Sequence, residues 1–181
     1  MRRDAKQNRD RIVAAAETVF GSHGAAGSTE EVARLANVGI ATVFRHFPTK
    51  EALVEAALAA HFNRLATRAE SLRQDPDAGS ALSELVRTMV RDGATKVTLA
   101  SMTTKRGELQ PSVRDASNQL RDAVAAAVRR AQDSGAVRGS VTVDEVYLLI
   151  RALAQTSATA VPERATLDRA VDIVLSGLRV R

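Results

Sequence analysis

The chain has 181 residues, 45% of them hydrophobic, and a formal net charge of +5. That is enough apolar material for a core in one domain or two small interdependent ones, and it excludes a disordered polyelectrolyte. Cysteine is absent, which removes disulfide frameworks, thiolate metal sites and thiol nucleophiles from consideration. Aromatic residues make up only 3%, with no Trp and a single Tyr, so the core must be built from Ala, Leu and Val, which suits packed helices better than sheets.

The first fifty residues hold eight Lys and Arg against five Asp and Glu, and so carry three of the five excess positive charges. A polyanion-binding surface is expected there. The opening from Met1 to Arg11 is polar, without the apolar run of a signal peptide, and nowhere do roughly 18 uncharged apolar residues follow one another. A soluble cytoplasmic protein, with no membrane partner, is the expectation.

Glycine and proline set the breaks, at Gly21 to Gly27, Pro48, Asp75 to Gly79, Gly107 to Pro111, Gly135 to Ser140 and Pro162. Arg2, Arg3, Lys6, Arg9 and Arg11 read as a flexible basic arm able to follow DNA, or as a solvated tail. Ile12, Ala16, Val19 and Phe20 recur at helical spacing, and Gly24 is placed to end that helix in a left-handed cap. Ser28 and Glu31 form an S-x-x-E capping box, which starts a short helix carrying Val32, Leu35 and Ala36. A third helix runs from about Ile40 to Phe47 and buries Val43 and Phe47; Pro48 ends it. Thr49 then caps a longer helix with Leu53, Ala57, Ala60 and Leu65 on its inner face.

Beyond residue 75 the pattern stays helical. Leu82, Leu85, Val86, Met89, Val90, Gly93 and Val97 form one stripe. A second, Val113, Ala116, Leu120, Val124, Ala127, Val128 and Ala131, opens at Pro111 and stops before Gly135. Thr142 and Glu145 make a second capping box ahead of Val146, Leu149, Ile150, Leu153 and Ser157. The last helix presents Leu167, Val171, Val174 and Leu178, with Ala170, Ile173 and Gly177 on an adjoining face. Leu148 and Ala152 likewise lie off their helix's main stripe. A surplus apolar face predicts a partner subunit, here a second copy of the chain, with a fully buried central helix as the alternative.

The informative segment is Ser28 to Leu53, S-T-E-E-V-A-R-L-A-N-V-G-I-A-T-V-F-R-H-F-P-T-K-E-A-L. Two short helices joined by a four-residue turn around Asn37 to Gly39 form a helix-turn-helix, whose second helix can enter a major groove. With Val43 and Phe47 turned inward, Ala41, Thr42, Phe44, Arg45 and His46 are left for the outside.

The run from Thr29 to Leu53, above all V-G-I-A-T-V-F-R-H-F-P-T-K-E-A-L, resembles the signature of the TetR family of bacterial transcriptional regulators. The stretches K-R-G-E-L-Q, R-R-A-Q-D-S-G-A-V-R and V-T-V-D-E-V are similar to the SbtR-like group of C-terminal domains. The resemblance implies an all-α fold: a three-helix DNA-binding domain over residues 1–52, then a helical effector-binding and dimerisation domain over residues 53–181. It further implies a repressor that grips palindromic operator DNA as a homodimer joined through the last two helices, needs no cofactor, and is released by a small molecule.

Matched by position, Thr29 and Lys50 resemble the family's phosphate anchors, and His46 its backbone-contacting histidine. Ile40, Ala41 and Thr42 fall where base edges are read, and Arg45 can reach phosphate or guanine. Phe44 stands where the family usually has Tyr; Phe cannot donate to a phosphate, which leaves contact with a thymine methyl or a sugar. Phe62, Met89, Met102, Leu120, Tyr147, Arg151 and Gln155 are the nominated effector-lining residues, with core packing or an ion pair of Arg151 as the plainer reading. His23 and His61 read as surface or packing histidines. Two other functional classes compete: an enzyme, for which no clustered metal-spaced His or carboxylates, phosphate loop or matched Ser-base pair speaks, and a helical interaction module whose DNA head has degenerated.

Overall fold

The computed structural model describes residues 2–103, 110–160 and 162–180, and side chains from residue 4 onward. Among the described residues there are nine α-helices, with a 3-10 turn at Gly24–Ala26 and no β-strand beyond one isolated bridge between Val137 and Arg179. The helices are α1 Arg2–His23, α2 Thr29–Leu35, α3 Ile40–His46, α4 Lys50–Leu72, α5 Ala78–Arg91, α6 Gly93–Thr103, α7 Pro111–Asp133, α8 Val143–Ala160 and α9 Arg164–Leu178. The all-α expectation holds. No helix of the described residues is long and apolar enough to cross a membrane.

The chain divides into two compact units, Met1–Phe62 with Thr95–Ser117, and Asn63–Ala94 with Asn118–Arg181. In the first unit Ile12, Ala16 and Phe20 of α1 are fully buried, as are Val32 of α2, Val43 of α3, Leu53 and Ala57 of α4, Leu99 of α6 and Val113 of α7. Gly21 lets the end of α1 lie close to α6, since a Cβ there would stand 2.7 Å from Thr95 Cγ2.

In the second unit α5 packs on α8 and α9, and α8 on α9. Leu82, Leu85, Val86 and Val90 are buried on α5, Val146 and Ile150 on α8, and Val171 and Leu175 on α9. Local signals mark the ends of these helices well. Thr142 Oγ1 accepts from Glu145 N at 3.2 Å while Thr142 N donates to the Glu145 carboxylate at 2.7 Å. Gly135, at φ 75°, closes α7 with its N–H on Gln132 O and that of Ala136 on Ala131 O, the two bonds that satisfy a helix's last carbonyls.

Two expectations need correction. The stripe from Leu82 to Val97 is not one helix: the chain breaks at Asp92, and α6 starts at Gly93. Periodicity does not show this break; just after it Gly93 meets α8 so closely that a Cβ would fall 2.9 Å from Ala154 Cα. The basic N-terminus is not a flexible arm either, since its backbone is helical from Arg2 onward; the side chains of Arg2 and Arg3 lie outside the described part. The break expected at Gly107 and most of the K-R-G-E-L-Q stretch also lie outside the described residues.

Candidate nucleic-acid interface

Two short-range devices build the helix-turn-helix. Ser28 Oγ accepts from Glu31 N at 3.1 Å, and the Glu31 carboxylate accepts from Ser28 N at 2.9 Å, so the predicted capping box is formed on both arms. At the other end of α2, Asn37 takes a left-handed conformation, φ 52°, a region in which Asn is one of the few tolerated side chains. This lets Val38 N–H reach Ala33 O at 3.0 Å and Asn37 N–H reach Arg34 O at 3.2 Å, turning the chain into Gly39 and α3.

α3 is oriented by what it buries. Val43 and Phe47 are inside, and the Arg9 guanidinium lies 5.1 Å from the Phe47 ring centroid, a cation–π contact from α1. The opposite face is open: Ile40 is 37% and Phe44 44% exposed, Ala41 and Arg45 are exposed, and Thr42 and His46 are half-buried. A face of one Arg, one aromatic and small apolar groups can meet a duplex through phosphate or guanine contacts and thymine methyls. Thr29 is half-buried at the first turn of α2, its hydroxyl donating to Glu30 at 3.3 Å.

Two cations take positions that the sequence does not signal. Arg11 is folded onto the turn, donating from Nε and Nη2 to Ala36 O at 3.1 and 2.8 Å and from Nη2 to Asn37 O at 2.9 Å. Lys50 Nζ donates to Ala25 O at 2.9 Å and Gly27 O at 2.5 Å, and lies 5.2 Å from the Phe20 ring centroid. The carbonyl partners are 23 to 26 residues away in sequence, so no local spacing could signal them.

Residues 12–57 match the model of bacterial regulatory proteins of the tetR family, and residues 75–180 match that of the SbtR-like transcriptional regulator C-terminal domain. The chain belongs to the TetR family. It is thus a DNA-binding transcriptional regulator with a helix-turn-helix head, in a family of transcription factors rather than enzymes. Among solved structures it resembles a TetR transcription regulatory protein from Mycobacterium vanbaalenii, at 31% identity over 99% of each chain with a TM-score of 0.82. It also resembles a TetR transcriptional regulator from Streptomyces coelicolor, at 30% identity over 94% of this chain and 98% of that one, TM-score 0.82. RolR, solved with its ligand resorcinol, shares the fold at 16% identity over 100% of this chain and 92% of that one, TM-score 0.59. No curated protein sequence matches the chain.

The nominated effector residues of this TetR-family chain fall in both units. Phe62 and Met102 belong to the first unit; Met89, Leu120, Tyr147, Arg151 and Gln155 belong to the second. Phe62, Met89 and Leu120 are buried in packing. Met102 is half-buried and lines a cavity of about 550 Å³ with Thr49, Glu51, Val54, Ser101 and Thr103.

Tyr147 is half-buried while Arg151 and Gln155 are exposed. Four-residue steps along a helix advance about 40° past a full turn, so a row at 147, 151 and 155 winds away from the buried side. The Tyr147 hydroxyl is buried without a hydrogen-bond partner, and the Arg121 guanidinium lies 5.4 Å from its ring centroid. Burial pushes this hydroxyl's pKa up to about 12, against the weaker opposing pull of Arg121. His61 is fully buried, its Nδ1 2.8 Å from Glu17 Oε1, so it links α4 to α1, whereas His23 is exposed.

Proposed function

We propose that this TetR-family regulator is a repressor that binds a palindromic operator as a homodimer and is released by a small molecule. The observation that carries the reading is the division of α3: Val43 wholly buried, Ile40, Ala41, Phe44 and Arg45 exposed along the opposite side. A helix-turn-helix with its recognition face open is suited to a major groove. Thr29, Ile40, Ala41, Thr42, Phe44, Arg45 and His46 contact the duplex, and Lys50 belongs to the same interface. Residues 1–52 serve as the reading domain and residues 53–181 as the effector-binding and dimerisation domain. The protein works in the cytoplasm, on nucleoid DNA.

Homodimerisation is supported by two apolar side chains that the second unit leaves in water, Leu148 on α8 at 68% and Ile173 on α9 at 74% exposure. With Ala152 and Gly177 also exposed, they form a surface of apolar and small residues suited to close helix approach. Effector release is supported by the buried Tyr147 hydroxyl, which a ligand's polar group would satisfy, and by the ligand bound in RolR. The effector must bind the DNA-free conformation more tightly, since equal affinity for both shifts nothing.

Selection of fragments from genomic DNA, followed by titration of the enriched duplex over a range of salt, tests the reading. The expected result is a site with twofold symmetry, half-sites one helical turn or a multiple of it apart, and affinity that falls steeply with salt. Equal affinity for every duplex would instead identify a helical interaction module whose reading head has degenerated.

A further inference from the structure

We propose that α3 reads the C5 methyl groups of pyrimidines: Ile40 and Phe44 seat on the methyls of two thymines in each half-site, and a 5-methylcytosine placed there is accepted in thymine's stead. The inference rests on the DNA-reading function above and names what that face selects.

The side chains of the reading helix set the choice. α3 reads I-A-T-V-F-R-H, and between Val38 and Lys50 there is no Asn, Gln, Asp or Glu. Bidentate reading of adenine takes an amide, and an acceptor for the cytosine amine takes a carboxylate. α3 offers neither. Its Arg45 guanidinium suits guanine or phosphate, and the Thr42 hydroxyl suits several bases. The rest of the exposed face is apolar, and the thymine methyl is the apolar group that the major groove displays.

Exposure points the same way. Among the described residues, the large hydrophobic side chains that the first unit leaves in water are Leu35, Ile40 and Phe44, all within the helix-turn-helix. Apolar surface gains from being covered, and on a helix that meets DNA the cover is the groove. Ile40 and Phe44 are four residues apart and share one row of α3. Their spacing along the helix axis is about 6 Å, close to two base steps of about 3.4 Å. Val43 and Phe47, buried on the other side, hold that row in place, so little ordering is left to do on binding. Neither an Ile nor a Phe side chain donates or accepts a hydrogen bond. Such a row cannot tell the O4 acceptor of thymine from the N4 donor of cytosine, so the methyl on C5 is what counts.

The test uses the full chain and the duplex selected from genomic DNA, remade with changes at single thymines. Uracil in place of thymine removes the methyl and keeps the pairing edge. Cytosine and 5-methylcytosine, each paired with guanine, then differ from one another by the same methyl. We expect uracil to weaken binding about fourfold at each of two positions in a half-site, the worth of one buried carbon. Changing the symmetry-related position as well should bring the loss to about fifteenfold. At those positions 5-methylcytosine should bind about fourfold more tightly than cytosine.

Ile40→Ala and Phe44→Ala, both at exposed positions, should each abolish the uracil effect at one position and leave it at the other, with helical content by circular dichroism unchanged. Arg45→Ala, on the neighbouring row, should bind more weakly and keep both methyl effects. Three results overturn the inference: affinity that changes by less than about twofold when every thymine of the half-sites becomes uracil, 5-methylcytosine no better than cytosine, or a thymine preference that survives both alanine variants. The first two need only the wild-type chain, so they decide the matter even if a variant does not fold. A chain that selects no DNA site loses the DNA-reading function and this inference with it. A selected site indifferent to methyl groups leaves that function standing and overturns the inference alone.

Discussion

Leu148→Glu offers the sharpest test of the homodimer. Full burial of a Leu side chain is worth about 1.5–3 kcal/mol, and Leu148 is 68% exposed, so roughly 1–2 kcal/mol remains to be gained by covering it. In a twofold dimer the substitution acts twice, for a loss of about 2–4 kcal/mol, or roughly 30- to 1000-fold in the dimer dissociation constant. Burying two carboxylates adds to the loss. Because the side chain lies in water in the isolated chain, its own fold has little to lose, and helical content should be unchanged. Sedimentation equilibrium over a concentration series measures the constant directly. A dimer of unaltered affinity, or a wild-type chain that is monomeric at micromolar concentration, refutes the assignment of this face; Ile173→Glu, the counterpart on α9, should reproduce the effect.

Gly93→Ala has two opposing terms: Ala is favoured over Gly in a helix by about 1 kcal/mol, but its Cβ would fall 2.3 Å from Ala154 Cβ and 2.9 Å from Ala154 Cα. The clash wins because it involves backbone, and a net loss of about 1–3 kcal/mol should lower Tm by several degrees in calorimetry. Tyr147→Phe removes a buried hydroxyl that has no partner, so stability in urea should rise by about 1 kcal/mol, and a lower urea midpoint would show that the hydroxyl is bonded. In the same variant, a ligand that releases the wild-type protein from DNA should release it less well.

Asp77 and Glu145 have pKa values held below their ordinary 3.8 and 4.5, chiefly by the backbone amides of Ser80 and Thr142 at the helix starts. Depressed carboxylates contribute fully above those ordinary values and lose their contribution as pH falls through the lowered ones. Urea unfolding between pH 7 and 3 should therefore show an acid limb that is shallower in Asp77→Asn and Glu145→Gln. Limbs that coincide with the wild type would mean these caps do not couple to folding.

The head of the molecule is legible wherever the relevant partner lies within one turn. Ser28 with Glu31 and Thr142 with Glu145 are three residues apart, so the pattern alone implies the bond that forms. Gly24 and Gly135 read as helix ends for the same reason, and both take positive φ. Asn37 reads as part of a turn, but not as its left-handed residue. The division of α3 follows from Val43 and Phe47 spaced four apart, which determines what faces inward and hence which side chains remain outside.

The amino-acid sequence by itself determined most of the helices, most of their ends and the exposed face of α3, because capping bonds and apolar periodicity act over three or four residues. Only the tertiary structure decided where Arg11 and Lys50 go, how closely Gly93 meets α8, and that Tyr147 is sheltered while Arg151 and Gln155 are not. Each of those outcomes depends on an atom brought near from a distant part of the chain. A long flexible cation or a glycine carries no local sign of the partner it will meet.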